Sequence, residues 1–145
     1  ALASGLTLTE SCLPELVKGI ENHLKTHYSD QDFIKTFKVD AQLEFKDITL
    51  SLAREIDSLR PFGTDNPEPV FLTRNLAVAS SHLLGGLHRK MSLKDSVSDS
   101  KQRIEAFHFN LKDTKTLPDR FDKVIFRLKI NKFRGESIQM IIEDL

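Results

Sequence analysis

The sequence predicts a mainly β protein with some α structure, in which a small helix and strand segment precedes five strands. Apolar residues follow the 3.6-residue period of an α-helix over residues 13–24 and again over 52–59. Strict alternation of apolar and polar residues, the period of a half-buried strand, marks residues 37–45 and 124–130. From residue 69 onward, strand-like runs are separated by turn-forming residues, so the predicted fold class is α+β.

The chain begins with a predicted strand end followed by a predicted helix. Residues 3–9 alternate and are rich in threonine, which favours extended structure. The apolar positions that follow have helical spacing and predict a helix that ends near Tyr28. Proline lacks the amide N–H that a helix interior needs, so Pro14 must lie in the first turn of this helix.

A strand and a second helix are predicted next. Residues 37–45 alternate throughout and predict a strand with one buried face. Asp47 or Thr49 is expected to cap the start of the helix, because both side chains can accept a hydrogen bond from an unpaired helix N–H. The buried stripe of this helix includes Leu59, and the helix stops at Arg60 because the next residue is proline.

The sequence RPFGTDNPEPVF, residues 60–71, connects the two parts of the chain. Three of its twelve residues are proline, which fixes its own φ and restricts the residue before it. A flexible linker is the alternative, but this composition favours a stiff, shaped turn. Pro61, Gly63 and Asn66 are the predicted structural residues of the turn.

Five strands are predicted after this turn. The first two are joined by Gly85-Gly86, which favours a tight hairpin, and one helical turn is expected between the third strand and the fourth. Five strands with a helical turn at that position are the arrangement of the OB fold, a Greek-key barrel. The predicted domains are therefore a helix and strand segment at 1–68 and an OB-fold domain at 69–145.

Composition narrows the classes of function. Residues 1–68 carry 7 Lys and Arg against 12 Asp and Glu, whereas residues 69–145 carry 14 against 9. A basic half is where an anionic polymer would bind, although such an imbalance also arises by scatter. The single cysteine, Cys12, excludes an internal disulfide and favours a reducing compartment. No stretch approaches the roughly 20 apolar residues of a membrane helix.

Four stretches of the chain are distinctive enough to compare with known families. In chain order they are ALASGLTL at 1–8, PFGTDNPEPVF at 61–71, IEAFHF at 104–109 and NKFRGESIQMIIED at 131–144. Together they resemble the bacterial RecJ family of single-strand-specific exonucleases. Asp65 stands where the family usually has glycine, Met140 where it has leucine, and His108 where a small residue is common.

The resemblance implies an OB domain that grips single-stranded DNA for a 5′→3′ exonuclease of DNA recombination and repair in the bacterial cytoplasm. It also implies that residues 1–68 are the end of the family's DHH-associated domain with its connecting helices. The DHH and Gly-Gly-His motifs hold a divalent metal, Mn²⁺ or Mg²⁺, and phosphate in this family, and they would precede residue 1. We therefore expect no metal site and no nuclease activity in this chain alone, and we expect His23 and His27 to be surface residues.

Binding of a single strand needs a basic groove for the backbone and flat side chains on which bases stack. The predicted DNA-binding residues occupy outward strand positions, a turn and the proline-rich segment: Phe62, His88, Lys90, Arg103, Lys129, Lys132 and Arg134. Phe62 is preferred as the stacking residue, because phenylalanines within strands, such as Phe107 and Phe109, more often belong to a core.

Two alternatives stay open. Asn131, Gly135 and Gln139 are assigned to the turn and pairing of the last hairpin, but the asparagine and glutamine side chains could contact DNA instead. The barrel could also be a protein-interaction module, since a basic face would attract the acidic tail of a partner such as single-stranded-DNA-binding protein.

Overall fold

The computed structural model describes residues 5–111, 118–133 and 135–145. The chain divides into two compact units, Ala1–Phe37 and Lys38–Leu145. Within the described residues, no helix is both long enough and apolar enough to cross a bilayer.

The first unit contains one helix between two short 3-10 turns. The elements are the turns Glu10–Cys12 and Asp30–Phe33, and helix α1, Leu13–His27. Helix α1 has Pro14 in its first turn and is followed by Tyr28, so the predicted helix is confirmed. The strand predicted at 3–9 is wrong for residues 5–9, which have no regular structure, and its first two residues lie outside the described part of the chain. Alternation alone does not make a strand, because a strand also needs a hydrogen-bonded partner.

The strand predicted at residues 37–45 is much shorter in the structure. Only β1, Ala41–Gln42, forms, and it pairs in parallel with the start of the following strand. Just before it, Asp40 Oδ2 accepts a hydrogen bond of 2.9 Å from Val70 N. A 3-10 turn, Phe45–Asp47, then ends the extended stretch. Alternation predicts which side chains are buried, whereas the length of a strand depends on how far its partner runs beside it.

Helix α2, Leu50–Asp57, begins at its predicted cap. Thr49 Oγ1 accepts a hydrogen bond of 3.2 Å from a backbone N–H of the first turn, which has no partner inside the helix. Ala53 and Ile56 are buried as the helical spacing predicts. Leu59, expected on the same stripe, is 56% exposed because α2 ends before it.

Five strands close into the predicted barrel. They are β2, Phe71–Leu84; β3, His88–Asp95; β4, Ile104–His108; β5, Arg120–Asn131; and β6, Ser137–Asp144. The sheet order is β1-β2-β3-β4-β6-β5, and β2 also pairs with β5, which closes the barrel. All pairings within the barrel are antiparallel except β4 with β6. The helical turn predicted between β4 and β5 falls largely on residues 112–117, outside the described residues.

Strand β2 serves two neighbours in turn. Its first half pairs with β5 and its second half with β3. Leu76 and Ala77 pair with both neighbours, and Asn75 just before them has a φ of 57°. Gly85 and Gly86 both have positive φ and form the predicted hairpin turn between β2 and β3. Leu87, which lies in this turn rather than in β3, is 57% exposed.

One hydrophobic core fills the barrel. Its most deeply buried side chains come from all five strands: Leu76, Met91, Leu93, Ile104, Val124, Phe126 and Met140. Phe45, Ile48 and Ile56 from the segment before β2 belong to the same core. The compact unit therefore begins at Lys38, and the assignment of residues 1–68 to a separate domain stays a prediction.

Candidate nucleic-acid interface

The outer face of β3 and β4 carries a row of polar and aromatic side chains. Side chains alternate along a strand, so the burial of Met91 and Leu93 turns the residues between and beside them outward. The strand register places Lys90 opposite Phe107 and Ser92 opposite Glu105.

Three aromatic rings stand together at one end of this face. Phe107 and Phe109 stack with ring centroids 6.1 Å apart and planes within 13° of each other. The His88 ring meets Phe109 edge-on at 5.3 Å, and Lys90 Nζ lies 5.6 Å from the centre of the Phe107 ring. Asn110 N donates to His88 Nδ1 at 3.2 Å, which fixes the imidazole. We call His88, Lys90, Phe107 and Phe109 the ring platform.

The ring platform is partly open to solvent. Phe109 is 45% exposed, while Phe107, His88 and Lys90 are half-buried. Lys90 Nζ forms an ion pair of 2.5 Å with Glu105 Oε1. An exposed ring beside a second, parallel ring presents a flat apolar surface of the kind that nucleic acid bases use for stacking.

Two basic residues of β5, Arg127 and Lys129, form ion pairs with acids of the protein itself. Lys129 Nζ lies 2.5 Å from Glu68 Oε1, and Arg127 Nη1 lies 3.6 Å from Glu68 Oε2. Arg127 Nε is also 3.0 Å from Glu143 Oε1 on β6. The Glu68 side chain is only 12% exposed, so its charge stays with these partners. We call Glu68, Arg127, Lys129 and Glu143 the Glu68 cluster.

Ion pairs also fasten the turn between β5 and β6 to α2. Arg54 donates to Glu136 Oε2 from Nε at 2.9 Å and from Nη2 at 2.6 Å. Lys132 Nζ lies 3.8 Å from Asp57 Oδ2. The Arg60 guanidinium donates to Asp57 and lowers the pKa of that carboxyl below its ordinary value.

The hairpin of β5 and β6 places Asn131 and Gly135 at its turn and Gln139 in β6. Asn131 Oδ1 accepts a hydrogen bond of 2.9 Å from Phe133 N, and Gly135 has φ of 116°. Gln139 Nε2 donates to Glu105 Oε2 at 3.4 Å, across the sheet. Arg134, expected to bind DNA, lies outside the described residues.

The proline-rich segment forms a turn that is held by hydrogen bonds. Asn66 Nδ2 donates to two backbone carbonyls, Leu59 O at 2.8 Å and Pro61 O at 2.9 Å, and Gly63 N donates to Asn66 O at 2.8 Å. The peptide bond before Pro61 is cis. Phe62 is half-buried and packs against the core, so its ring is less available for stacking than that of Phe109.

Comparison with known proteins identifies the barrel. A sequence model described as the RecJ OB domain matches residues 39–144. The chain belongs to the RecJ OB domain family. Two relatives called single-stranded-DNA-specific exonuclease RecJ match nearly all of this chain: that of Bacillus subtilis strain 168 is 24% identical over 99% of it, and that of Escherichia coli K12 is 28% identical over 100%. The chain spans only 18% and 25% of the lengths of these relatives.

The described part of this RecJ OB domain chain offers no metal-binding cluster. No group of three or more His, Cys, Asp or Glu side chains is arranged to hold an ion among those residues. The two histidines of α1 stack at 4.1 Å, and His27 Nδ1 donates to the His23 carbonyl at 2.9 Å. The divalent metal that the family implies does not fit these residues.

Two groups of charged residues in this RecJ OB domain are not among the residues predicted from the sequence. Lys94 and Lys101 lie beside Arg103 at the loop between β3 and β4. The alternation that placed Lys90 on the outer face of β3 also places Lys94 there, so this signal was present in the sequence. Glu68 gave no such signal, because only the fold brings it to β5.

Proposed function

We propose that this chain holds single-stranded DNA for a RecJ-type exonuclease, with the strand lying along the outer face of β3 and β4. The ring platform is the observation that carries the proposal. Stacking of a base on an exposed aromatic side chain contributes about 1–3 kcal/mol and tolerates any base. Phe109 offers such a surface, and Lys90 lies close enough to meet the backbone beside it.

Cations along the same face support this path. Arg103 is exposed directly before β4, at the end of the face opposite the ring platform. The eight residues of β3 span roughly 25 Å at about 3.3 Å per residue, so several nucleotides would lie along them. Of the other predicted residues, Lys129 and Lys132 lie outside β3 and β4, and like Lys90 they already have carboxylate partners. Arg134 remains part of the proposed set.

The chemistry of cleavage belongs to other parts of the proposed enzyme. Its relatives are named single-stranded-DNA-specific exonucleases, and we propose 5′→3′ polarity, a divalent metal, either Mn²⁺ or Mg²⁺, and a role in DNA recombination and repair in the bacterial cytoplasm. Residues 1–68 would be the end of the DHH-associated domain and its connecting helices. The chain alone would bind the strand without hydrolysing it.

Fluorescence anisotropy tests the proposal directly. The chain is titrated against a labelled single strand and the matching duplex over a salt series. We expect preference for the single strand and an affinity that falls linearly in a plot of log affinity against log salt concentration. Equal affinity for the duplex, or no binding at low salt, would contradict the proposal.

A second candidate function is the docking of an acidic protein segment, such as the tail of single-stranded-DNA-binding protein. The exposed Lys101 and Arg103 beside β4 favour it, because neither forms an ion pair with the described residues. Competition distinguishes the two functions. An acidic tail peptide that binds the chain tightly and is not displaced by oligonucleotide would favour docking of protein.

A further inference from the structure

The loop between β3 and β4 forms an open cavity that is rich in cations. Its volume is about 470 Å³. Its lining consists of Lys94, Asp95, Ser98, Asp99, Ser100, Lys101 and Arg103. The seven lining side chains therefore carry three positive charges, two negative charges and two hydroxyl groups.

The three cations of this cavity have no ion-pair partner among the described residues. Within residues 5–111, 118–133 and 135–145, the charged ends of Lys94, Lys101 and Arg103 form no ion pair, unlike those of the Glu68 cluster. Unpaired cations that lie close together repel one another, and an anion between them relieves that repulsion.

The two acids of the cavity offset only part of this charge and leave a formal net charge of +1. Asp95 directs both carboxylate oxygens into the loop, where Oδ1 accepts from Val97 N at 2.8 Å and Oδ2 from Ser98 Oγ at 2.9 Å. The backbone N–H of Val97 lowers the pKa of Asp95 below its ordinary value, so the carboxylate is used as a loop support. Asp99 is exposed, and the cavity keeps a net positive charge.

The loop is held in place before any ligand arrives. Gln102 Nε2 donates to the carbonyl of the fully buried Ile48 at 3.0 Å. Ser100 Oγ accepts from Gln102 N at 3.1 Å. An oxygen that accepts this bond can still donate its own proton, and an oxyanion is a suitable acceptor.

The cavity is continuous with the outer face that carries the ring platform. Lys94 follows Lys90 and Ser92 along the outward side of β3. Arg103 precedes the outward Glu105 of β4 by two residues, which is one strand period. A strand whose bases stack at the rings would thus carry its backbone toward these cations.

We propose that Lys94, Lys101 and Arg103 form a binding site for internucleotide phosphates, which anchors the backbone of the single strand whose bases meet the ring platform. The proposal rests on the function proposed above. The phosphates are held by charge and by the Ser100 hydroxyl, with no contact to the bases, so the site reads backbone and not sequence.

The test compares two variants with the same loss of charge. The site variant is Lys94→Gln, Lys101→Gln and Arg103→Gln. The control is Arg74→Gln, Arg120→Gln and Lys123→Gln, which removes three exposed cations of β2 and β5 that also form no ion pair with the described residues. Circular dichroism and thermal melting establish that both variants are folded.

Anisotropy is measured with oligothymidylate and with an abasic strand of equal length. A single strand contributes about 0.7 to the salt slope for each phosphate contact, so the site variant should lose about 2 from the slope and at least about tenfold in affinity at low salt. The loss should be equal for the two strands, since the site holds no base. An equal loss in the control would show diffuse attraction and overturn the site.

A second measurement separates this site from the proposed function. Pyrophosphate is titrated into the ¹⁵N-labelled chain, and NMR shifts are followed in residues 94–103. Localised shifts that vanish in the site variant support the site, even if the chain fails to bind DNA. Absence of localised shifts, together with an unchanged salt slope in the site variant, overturns the site while DNA binding by the chain stands.

Discussion

The cations of the β3–β4 loop and two cations of β5 lie on the outside of the same barrel, but their surroundings differ. Arg127 and Lys129 on β5 are neutralised by Glu68 and Glu143. Lys94, Lys101 and Arg103 have no carboxylate partner among the described residues. A DNA phosphate would have to displace an acid of the protein in the first region and would only displace water and salt ions in the second.

A basic sequence does not by itself give a surface that can bind an anion, because acids of the protein can already be paired with the basic residues. The barrel half of the sequence has more basic than acidic residues, yet a single glutamate from the preceding turn occupies two of its cations. Glu68 reaches β5 because the turn around Asn66 is fixed by side-chain hydrogen bonds to the backbone. The turn therefore decides which face stays open to an anion.

Removal of an aromatic ring should have the largest effect. Phe109→Ala takes away the exposed ring of the platform, and the affinity for oligothymidylate should fall between about fivefold and a hundredfold, the equivalent of one lost stacking contact. Phe133→Ala is the matched change in the turn beside β5, since Phe133 is also exposed, and it should change the affinity less than about twofold. If both variants bind equally weakly in anisotropy titrations, the strand also crosses β5 and the comparison fails.

Removal of the Asn66 side chain, which holds the proline-rich turn, should have the second largest effect, and this effect is on stability. Asn66→Ala leaves Leu59 O and Pro61 O without their amide donor, so the free energy of unfolding should fall by about 1–2 kcal/mol. Urea unfolding monitored by circular dichroism measures the change. Asp65→Ala, an exposed neighbour in the same turn, should alter it by less than about 0.5 kcal/mol. Similar values for the two variants would show that the amide does not fix the turn.

Neutralisation of the shared acid should have a smaller effect of opposite sign. Glu68→Gln releases Lys129 and leaves Arg127 paired with Glu143 alone, so the affinity for single-stranded DNA should rise about two- to fivefold and the salt slope should steepen by about 0.7, corresponding to one new phosphate contact. Glu136→Gln, which breaks the pair with Arg54, serves as the control and should leave both quantities unchanged. A decrease in affinity after Glu68→Gln would mean that the acid positions the cations for DNA.

Protonation of Asp95 should have the smallest effect. Its pKa lies below the ordinary 3.8 of an Asp carboxyl, because the folded loop donates hydrogen bonds to the ionised form. The resulting stabilisation is complete above the pKa of the unfolded chain and is lost as the pH falls through the lower, folded pKa, which is below about pH 4. Carbon NMR of the carboxyl group measures the midpoint. An ordinary value in the intact chain would show that the loop is not held by Asp95.

The barrel was predictable because apolar and polar residues alternate along its strands, and this alternation indicates which side chains face inward. Val124, Phe126 and Leu128 alternate with polar residues and are all buried in β5. Helix α2 was predictable from its cap at Thr49. The strand expected at residues 37–45 was not, because the two-residue pairing with β2 depends on a partner that alternation does not describe.

The candidate site was only partly predictable. The positions of His88, Lys90 and Arg103 on the outer face of β3 and beside β4 were predicted from strand alternation, which is a local signal. Phe62 was preferred over Phe109 because phenylalanines within strands more often belong to a core, whereas the structure packs the Phe62 ring against the core and leaves Phe109 exposed. Pairing of Lys129 with Glu68 depends on a contact between distant parts of the chain, which no local pattern contains.

The double use of β2 has a consequence for the order in which the barrel can assemble. Its second half meets β3 through a two-glycine turn, so that hairpin and the β3–β4 pairing involve neighbours in the chain. Its first half pairs with β5, which is distant in the chain: Phe71 lies beside Phe126. Contacts between distant residues form slowly, because the entropy of closing the intervening loop must be overcome first. Loop entropy therefore favours formation of the face proposed to carry DNA from local contacts, before the β2–β5 pairing that closes the barrel.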